Sequence, residues 1–250
     1  MTADRGNRIS VRRLSAQLRR ERRPSRSLRE WVVQSIGGRR ERAVLFDVLA
    51  DIDFCVRAGE LAAVVGPNGA GKTSLLRVLA GIIPPHSGRV RVAGRIAPLI
   101  DLGAGFDPEL TGDENVSLYG SILGMTRGEV ERRREEAIEF SGLADARDVP
   151  VKSYSTGMVA RLGFAVATAV TPEVLLIDEV IAVGDEEFRA RCFERISALR
   201  AAGTAVVLVT HDLPLVDRWA DSALHLRDGC QVAFDEARVV TAAYRMEVAA

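Results

Sequence analysis

The chain contains little lysine, few cysteines and no long apolar run. Of its 34 basic residues only Lys72 and Lys152 are lysines. The three cysteines are far apart and have no metal-ligand spacing, which excludes a disulfide framework and predicts reduced thiols. No apolar run reaches the roughly 18 residues of a membrane-spanning helix, and the N-terminus lacks the apolar core of a secretory signal. These absences predict a soluble, cytoplasmic protein.

The charge is balanced overall but unevenly distributed. The chain has 34 acidic and 34 basic residues, yet residues 1–42 contain 13 Arg against four acidic residues. We treat residues 1–43 as a basic N-terminal segment, with an arginine-interrupted strand over Ile9–Leu18 and a short amphipathic helix over Ser27–Val33. This segment is either a solvated arm or a region close to anionic lipid or a membrane partner. Nucleic acid fits less well, because no aromatic residues alternate with the arginines.

A glycine-rich turn lies between an apolar strand pattern, residues 61–65, and a helical pattern that begins near Ser74. The turn matches the phosphate-binding sequence GxxxxGK[ST]. Glycine allows successive backbone N–H groups to converge on an anion, and the start of the helix favours negative charge. We therefore predict a nucleotide site formed by Gly66, Pro67, Asn68, Gly69, Ala70, Gly71, Lys72, Thr73 and Ser74. Lys72 would reach the β- and γ-phosphates, and the Thr73 hydroxyl would bind Mg²⁺.

Strand and helix patterns alternate along most of the remaining chain. Buried strands are predicted at 174–177 and 205–210, helices at 157–170 and 186–202, and a hairpin around Asp228-Gly229. This alternation predicts an α/β fold with a largely parallel sheet covered on both faces. Residues 113–170 read as a helical region, in which the charged stretch 127–140 predicts an exposed layer rather than a core element.

Polar residues follow two of the predicted buried strands. Asp178 and Glu179 end the strand at 174–177, and His211 follows the strand at 205–210. Ligand-binding groups collect at the carboxyl edge of such sheets. We predict that Asp178 holds Mg²⁺, that Glu179 polarises an attacking water, and that His211 is directed at the γ-phosphate.

A second candidate anion site precedes the helix at 157–170. Ser155 is a plausible N-cap for this helix, and Ser155, Thr156, Gly157 and Met158 form a polar entrance to the helix N-terminus. An ordinary capped helix would have the same sequence. The spacing of 21 residues between Gly157 and Asp178 favours the functional interpretation.

Taken together, these motifs resemble the ATP-binding subunit of an ABC transporter from about Ala43 to Leu226. The resemblance identifies a Walker A loop at 66–73, a signature motif at 154–158, a Walker B strand ending in Asp178-Glu179, a D-loop ending in Asp185, and the switch residue His211. It implies a P-loop NTPase of the ABC ATPase type, with a mixed sheet core, a helical subdomain at about 113–170 and an antiparallel β part, all within residues 44–250.

The variant sequences at 102–112 and 154–168 are similar to the subfamily that exports polysaccharides. That resemblance implies ATP and Mg²⁺ as cofactors, a homodimer of ATPase subunits and an integral membrane permease. It also implies a lipid-linked substrate of O-antigen, teichoic acid or galactan type, a position at the cytoplasmic face of the membrane, and no nucleic acid partner. A drug or lipid exporter remains the alternative, and a soluble ABC ATPase outside transport is a weaker one.

The sequence departs from the family pattern in three places. The usual Q-loop glutamine is missing, and Asp101 is the candidate replacement. The aromatic residue that stacks on adenine is not evident, with Phe46 and Trp31 as candidates. The chain as given ends at Ala250, so we expect no C-terminal carbohydrate-binding domain.

Overall fold

The computed structural model describes residues 6–20, 44–100, 103–179 and 185–248. Its strands are β1 (Asn7–Arg20), β2 (Val44–Arg57), β3 (Leu61–Val65), β4 (Ser87–Val92), β5 (Ile96–Leu99), β6 (Val174–Asp178), β7 (Ala205–Val209), β8 (Ser222–Arg227) and β9 (Cys230–Glu236). Its α-helices are α1 (Lys72–Leu79), α2 (Gly112–Ile122), α3 (Arg127–Ser141), α4 (Thr156–Ala169), α5 (Glu186–Ala201), α6 (Leu213–Trp219) and α7 (Ala237–Val248).

The described strands form one mixed sheet in the order β4-β1-β2-β9-β8-β3-β7-β6-β5. Strands β5, β6, β7, β3 and β8 are parallel, whereas β1 pairs antiparallel with β2 and β4, and β9 pairs antiparallel with β8. The predicted α/β fold with a mixed sheet and an antiparallel part is confirmed. The parallel arrangement places the ends of β3, β6 and β7 at one edge, which is where the polar residues follow.

The central strands bury both of their faces. In β6, Leu175 and Ile177 pack into a cluster with the helices at 112–169 and α5, whereas Val174 and Leu176 pack into a cluster with β1, β2 and α1. Successive strand residues point to opposite faces, so one continuous apolar run supplies both clusters. This explains why the buried strands are uninterrupted runs of apolar residues.

The helices at 112–169 lie in the chain between β5 and β6. Helices α2 and α3 each begin with a capping box, at Thr111 and Thr126, which satisfies backbone donors in the first turn. The expectation that residues 127–140 form an exposed layer is wrong for one face of α3. Val130, Ala137 and Ile138 are buried in the cluster shared with α2 and α4, because three apolar positions suffice to dock a largely charged helix.

The strand expected over Ile9–Leu18 is present, but it is not separate from the domain that follows. Strand β1 pairs with β2 along most of its length and with β4 on its other side. Ile9 and Leu14 are fully buried in the cluster with α1. The predicted domain boundary at residue 43 therefore separates two strands, β1 and β2, that belong to the same sheet. Strand β1 covers an edge of β2 that would otherwise be unpaired. The helix expected over Ser27–Val33, with Trp31, lies outside the described residues.

In the part of the chain that the structure describes, none of the helices has both the length and the apolar composition needed to cross a bilayer.

Candidate nucleotide-binding site

The turn between β3 and α1 has the backbone shape of a phosphate-binding loop. Gly66 and Gly71 have φ angles of 144° and 98°, a region that L side chains rarely adopt. A Cβ atom on Gly66 would lie 2.0 Å from the Leu226 carbonyl oxygen, and one on Gly71 would lie 2.7 Å from the Val48 carbonyl oxygen. The close approach of two other strands therefore requires glycine at both positions.

Lys72, the first residue of α1, folds back over this loop. Its Nζ donates to the carbonyl oxygens of Gly66 and Pro67, each at 2.8 Å. Burial lowers the pKa of Lys72, while the carboxylates of Glu179 and Asp178 act in the opposite direction. An ammonium held by two loop carbonyls lies where an anion bound to the loop would meet it.

A cleft of about 470 Å³ opens in front of the loop. Three groups of residues form its wall. The first comes from the loop and α1, the second from the ends of β6 and β7, and the third from β2 and the β8–β9 turn. The lining residues are Phe46, Asp47, Val48, Asn68, Gly69, Gly71, Lys72, Thr73, Ser74, Asp178, Glu179, Val209, Asp228 and Gly229. Six of the nine residues predicted for the nucleotide site thus line the cleft, while Gly66, Pro67 and Ala70 form the loop behind it.

The predicted catalytic residues meet at the carboxyl edge of the sheet. The Nδ1 atom of His211 contacts the Oε1 atom of Glu179. Glu179 has a φ of 51°, and its backbone N–H donates to the Val209 carbonyl at 3.0 Å. The Glu179 and His211 side chains are 53% and 79% exposed. A strained backbone at an exposed carboxylate is typical of functional positions. Glu179 lines the cleft together with Lys72, whereas His211 contacts Glu179 but does not itself line the cleft.

Thr73 and Asp178 place a hydroxyl and a carboxylate oxygen on the same cleft. Such hard oxygen donors fit Mg²⁺, which commonly binds one or two protein oxygens together with substrate phosphates. Among the described residues, no cluster of three or more His, Cys, Asp or Glu side chains forms an independent metal site. The donor set therefore suits a metal that arrives with a nucleotide.

The signature residues do not line this cleft. The Ser155 hydroxyl accepts from the Met158 backbone N–H at 3.2 Å and caps α4. Ser155 and Thr156 are exposed, and Met158 packs partly against the helical core. The structure therefore separates the predicted residues into two sets, one around Lys72 and one at the start of α4.

Asp185 connects to the signature helix rather than to the cleft. It caps α5 by accepting from the Phe188 N–H at 2.8 Å, and its other oxygen accepts from Arg161 of α4 at 2.7 Å. The capping bond and the arginine hold the pKa of Asp185 below its usual range. Residues 182–184 of the predicted D-loop, and Asp101, lie outside the described residues.

Phe46 lines the cleft and is 43% exposed, and its contact with a base stays a prediction. Sequence reasoning missed five residues of the cleft wall, which are Asp47, Val48, Val209, Asp228 and Gly229. The Asp-Gly dipeptide indicated a hairpin turn, but nothing in the sequence placed that turn beside the phosphate loop.

The sequence profile of the ABC transporter family matches residues 49–182. That is more than half of the chain, and it includes the loop, the signature residues and Asp178-Glu179. The chain belongs to the ABC transporter family, and its fold is that of an ABC-type ATPase.

The chain is similar to proteins named as export ATP-binding proteins. The chain is 44% identical over 210 residues to the O-antigen export system ATP-binding protein RfbB of Myxococcus xanthus, covering 84% of this chain and 48% of the relative. It is 44% identical over 180 residues to the RfbB protein of Klebsiella pneumoniae, covering 72% and 73%. It is 34% identical over 197 residues to the teichoic acids export ATP-binding protein TagH of Lactiplantibacillus plantarum, covering 79% and 54%. The chain thus spans about half the length of the first and third of these relatives.

A solved structure shows the same fold. It is a dimeric ATP-binding cassette in a post-hydrolysis state with ADP and Pi, and it superimposes with a TM-score of 0.73 at 19% identity over 92% of this chain and 99% of that one.

Proposed function

We propose that this protein is the ATP-hydrolysing subunit of an ABC transporter that exports a lipid-linked polysaccharide of O-antigen, teichoic acid or galactan type. In this proposal it acts at the cytoplasmic face of the cell membrane, as a pair of ATPase subunits bound to an integral membrane permease. The observation that carries the ATPase part is the convergence of Lys72, Asp178 and Glu179 on one cleft in front of the loop. The 44% sequence identity to two O-antigen export system ATP-binding proteins supports a polysaccharide as the substrate.

The loop and Lys72 would hold the phosphates of ATP. The first residues of α1 line the cleft, and the helix has no side-chain cap at its start, so its first backbone N–H groups would be available to an anion. Lys72 would exchange its bonds to the loop carbonyls for bonds to phosphate oxygens. Thr73 and Asp178 would hold Mg²⁺, which supplies charge neutralisation of the phosphates when bound.

Glu179 and His211 would act on the nucleophilic water. The Glu179 carboxylate accepts a proton from the water as it attacks, while His211, in contact with that carboxylate, keeps it directed toward the γ-phosphate. Phe46 would stack on the adenine at the other end of the cleft.

The signature residues would complete the site of a second copy. Ser155, Thr156, Gly157 and Met158 surround an exposed helix N-terminus that does not reach the chain's own cleft. In a head-to-tail pair, this N-terminus would approach the γ-phosphate held by the other subunit and exclude water from it. Closure on ATP and reopening after hydrolysis would supply the movement that drives export.

The test is copurification of the tagged chain from native membranes, followed by an ATPase assay with and without undecaprenyl-linked glycan. We expect a polytopic membrane protein to be captured and hydrolysis to rise severalfold with the glycan. Lys72→Ala is the matched control, which should capture the same partner but show no hydrolysis.

Different outcomes remove different parts of the proposal. Stimulation by drugs or simple lipids, and not by glycan, would contradict the substrate class. Capture of ribosomes or nucleic acid without any membrane partner would contradict the transport assignment.

A further inference from the structure

We propose that Gly229 is a positioning residue that holds the base-side strand β2 against the phosphate loop. The inference rests on the proposed ATP site, in which Phe46 of β2 contacts the base and the loop around Lys72 holds the phosphates. Gly229 belongs to neither element. It lies in the turn between β8 and β9, and it touches both.

Two backbone hydrogen bonds attach Gly229 to the two sides of the cleft. Its N–H donates to the carbonyl of Ala70 in the phosphate loop at 3.2 Å, and its carbonyl accepts from the N–H of Ala50 in β2 at 2.9 Å. Gly229 is buried, with a φ of 78°. One residue thus bridges the loop and the strand through its own peptide groups.

The fit around Gly229 leaves no space for a side chain. A Cβ atom would lie 2.8 Å from the Val48 carbonyl oxygen and 3.2 Å from the Val48 carbonyl carbon. These are backbone atoms of β2, which cannot rotate away as a flexible side chain would. The same Val48 oxygen also excludes a Cβ on Gly71 of the loop. The backbones of the β8–β9 turn and of the phosphate loop therefore both pack against the Val48 carbonyl group of β2.

Near Gly229, strand β2 has few backbone pairs with its neighbour β9. In the described part of the chain, the register between β2 and β9 consists of the single pair Ala50 and Cys230. An Asp53 N–H bond to the Gln231 side chain at 2.8 Å and an edge contact of Phe54 with Phe234 add to it. Because β1, β2 and β4 join the parallel sheet here, the turn at Gly229 decides how far Phe46 lies from the loop.

The substitution Gly229→Ala should weaken contact with the base at β2 without weakening phosphate binding by the loop. Alanine keeps the N–H that bonds Ala70, so the turn can stay with the loop, whereas its Cβ pushes β2 away. A ligand that spans the cleft should lose affinity, and a ligand that occupies only the loop should not. We would measure dissociation constants for Mg²⁺-ADP and for Mg²⁺-pyrophosphate by isothermal titration calorimetry.

The expected result for Gly229→Ala is a loss of ADP affinity of at least tenfold with a change in pyrophosphate affinity below twofold. Gly203→Ala is the matched control. Gly203 also has a positive φ, 99°, but a Cβ atom there would meet no described atom within 4 Å beyond its chain neighbours. The control therefore introduces backbone strain without the clash. Phe46→Ala should reproduce the ADP-selective loss if Phe46 contacts the base.

The outcomes distinguish a failure of the positioning role of Gly229 from a failure of the proposed ATP site. If Phe46→Ala weakens ADP selectively but Gly229→Ala behaves like Gly203→Ala, the positioning role is wrong and the site stands. If Gly229→Ala weakens both probes equally, the turn supports the loop alone and the inference is overturned. If neither probe binds the unsubstituted chain, the proposed site itself is wrong.

Hydrogen exchange on the unsubstituted chain tests the same point should Gly229→Ala fail to fold. ADP should slow exchange of the Ala50 amide of β2, whereas pyrophosphate should slow exchange only at residues 66–74 and at the Gly229 amide that is bonded to the loop. Equal protection of the Ala50 amide by both ligands, or by neither, contradicts the inference.

Discussion

Arg161 and Asp185 form an ion pair at 2.7 Å that joins the signature helix α4 to the start of α5. The Arg161 guanidinium also lies over the Phe188 ring, with its Cζ atom 5.1 Å from the ring centroid. Asp185 ends the predicted D-loop, and Arg161 follows the signature residues by one helical turn. The pair therefore links two segments that the proposed dimer would place against a second subunit.

Arg161→Met tests this link. The expected result is a severalfold lower turnover with an ADP affinity within about twofold of the original, because the pair lies outside the cleft around Lys72. The free energy of unfolding should change little, since solvent screens an ion pair at the surface. Arg189→Met is the control, because Arg189 is an exposed residue of α5, the helix that Asp185 caps. An equal loss in both variants would show that the loss of a positive charge, and not the loss of the link, lowers turnover.

Glu179→Gln tests the assignment of the catalytic carboxylate. Glutamine keeps the shape but cannot accept the proton of the attacking water, so turnover should fall by about 100-fold or more. ATP should then accumulate in a closed dimer, visible as a shift to the dimer volume in gel filtration. Glu139→Gln, on the exposed surface of α3, should leave both measurements unchanged. Robust turnover in Glu179→Gln would overturn the assignment.

The cysteines should differ sharply in reactivity. Cys192 is buried, and burial raises the pKa of its thiol to about 12, while Cys230 is exposed. At pH 8 only about one Cys192 thiol in 10⁴ would be the reactive thiolate. Mass spectrometry after alkylation should therefore show Cys230 modified first and Cys192 modified only after denaturation. Early labelling of Cys192 in the native chain would contradict its buried position.

Acid should weaken the attachment of the final helix α7. Asp217 accepts from the Thr241 hydroxyl and, at 2.6 Å, from Arg245, and these contacts hold the pKa of Asp217 below its usual range. A depressed carboxyl pKa contributes stability above its unfolded value, near 3.9, and that stability is lost as the pH falls through the folded value. Denaturant melts of Asp217→Asn should show a loss of about 1 kcal/mol or less at pH 7.

The difference between Asp217→Asn and the original chain should shrink as the pH falls through the depressed pKa of Asp217 and disappear below it, where both side chains are neutral. Asp145→Asn, at an exposed site, is the control and should track the original chain at every pH. A difference that persists unchanged at low pH would mean that Asp217 acts through packing rather than charge.

The outcomes for α3 and β1 show where the sequence pattern was insufficient. The charged composition of residues 127–140 predicted an exposed layer, yet Val130, Ala137 and Ile138 are buried. The strand predicted over Ile9–Leu18 is present, but the arginine-rich composition led us to separate it from the following domain, although alternate residues such as Ile9 and Val11 are buried against α1 and β2. In both elements a few apolar residues are enough to pack the helix or strand against the core. The average composition of the segment, which is highly charged, does not reveal these residues.

The sequence by itself determined the local chemistry of this protein. The glycines and Lys72 define the phosphate loop. Asp178, Glu179 and His211 follow short apolar runs that are typical of buried parallel strands, which are covered on both faces. These features depend on neighbours in the chain, and so they can be read from order and spacing alone.

Only the tertiary structure decided what surrounds that loop. The Asp228-Gly229 turn is far from Gly66 along the chain, and it reaches the cleft because β8 pairs with β3 while β9 meets β2. Likewise, the separation of Ser155 from Lys72 follows from the route of the helices at 112–169 across one face of the sheet. Strand order and register set these distances, and both arise from long-range pairing that no local pattern specifies.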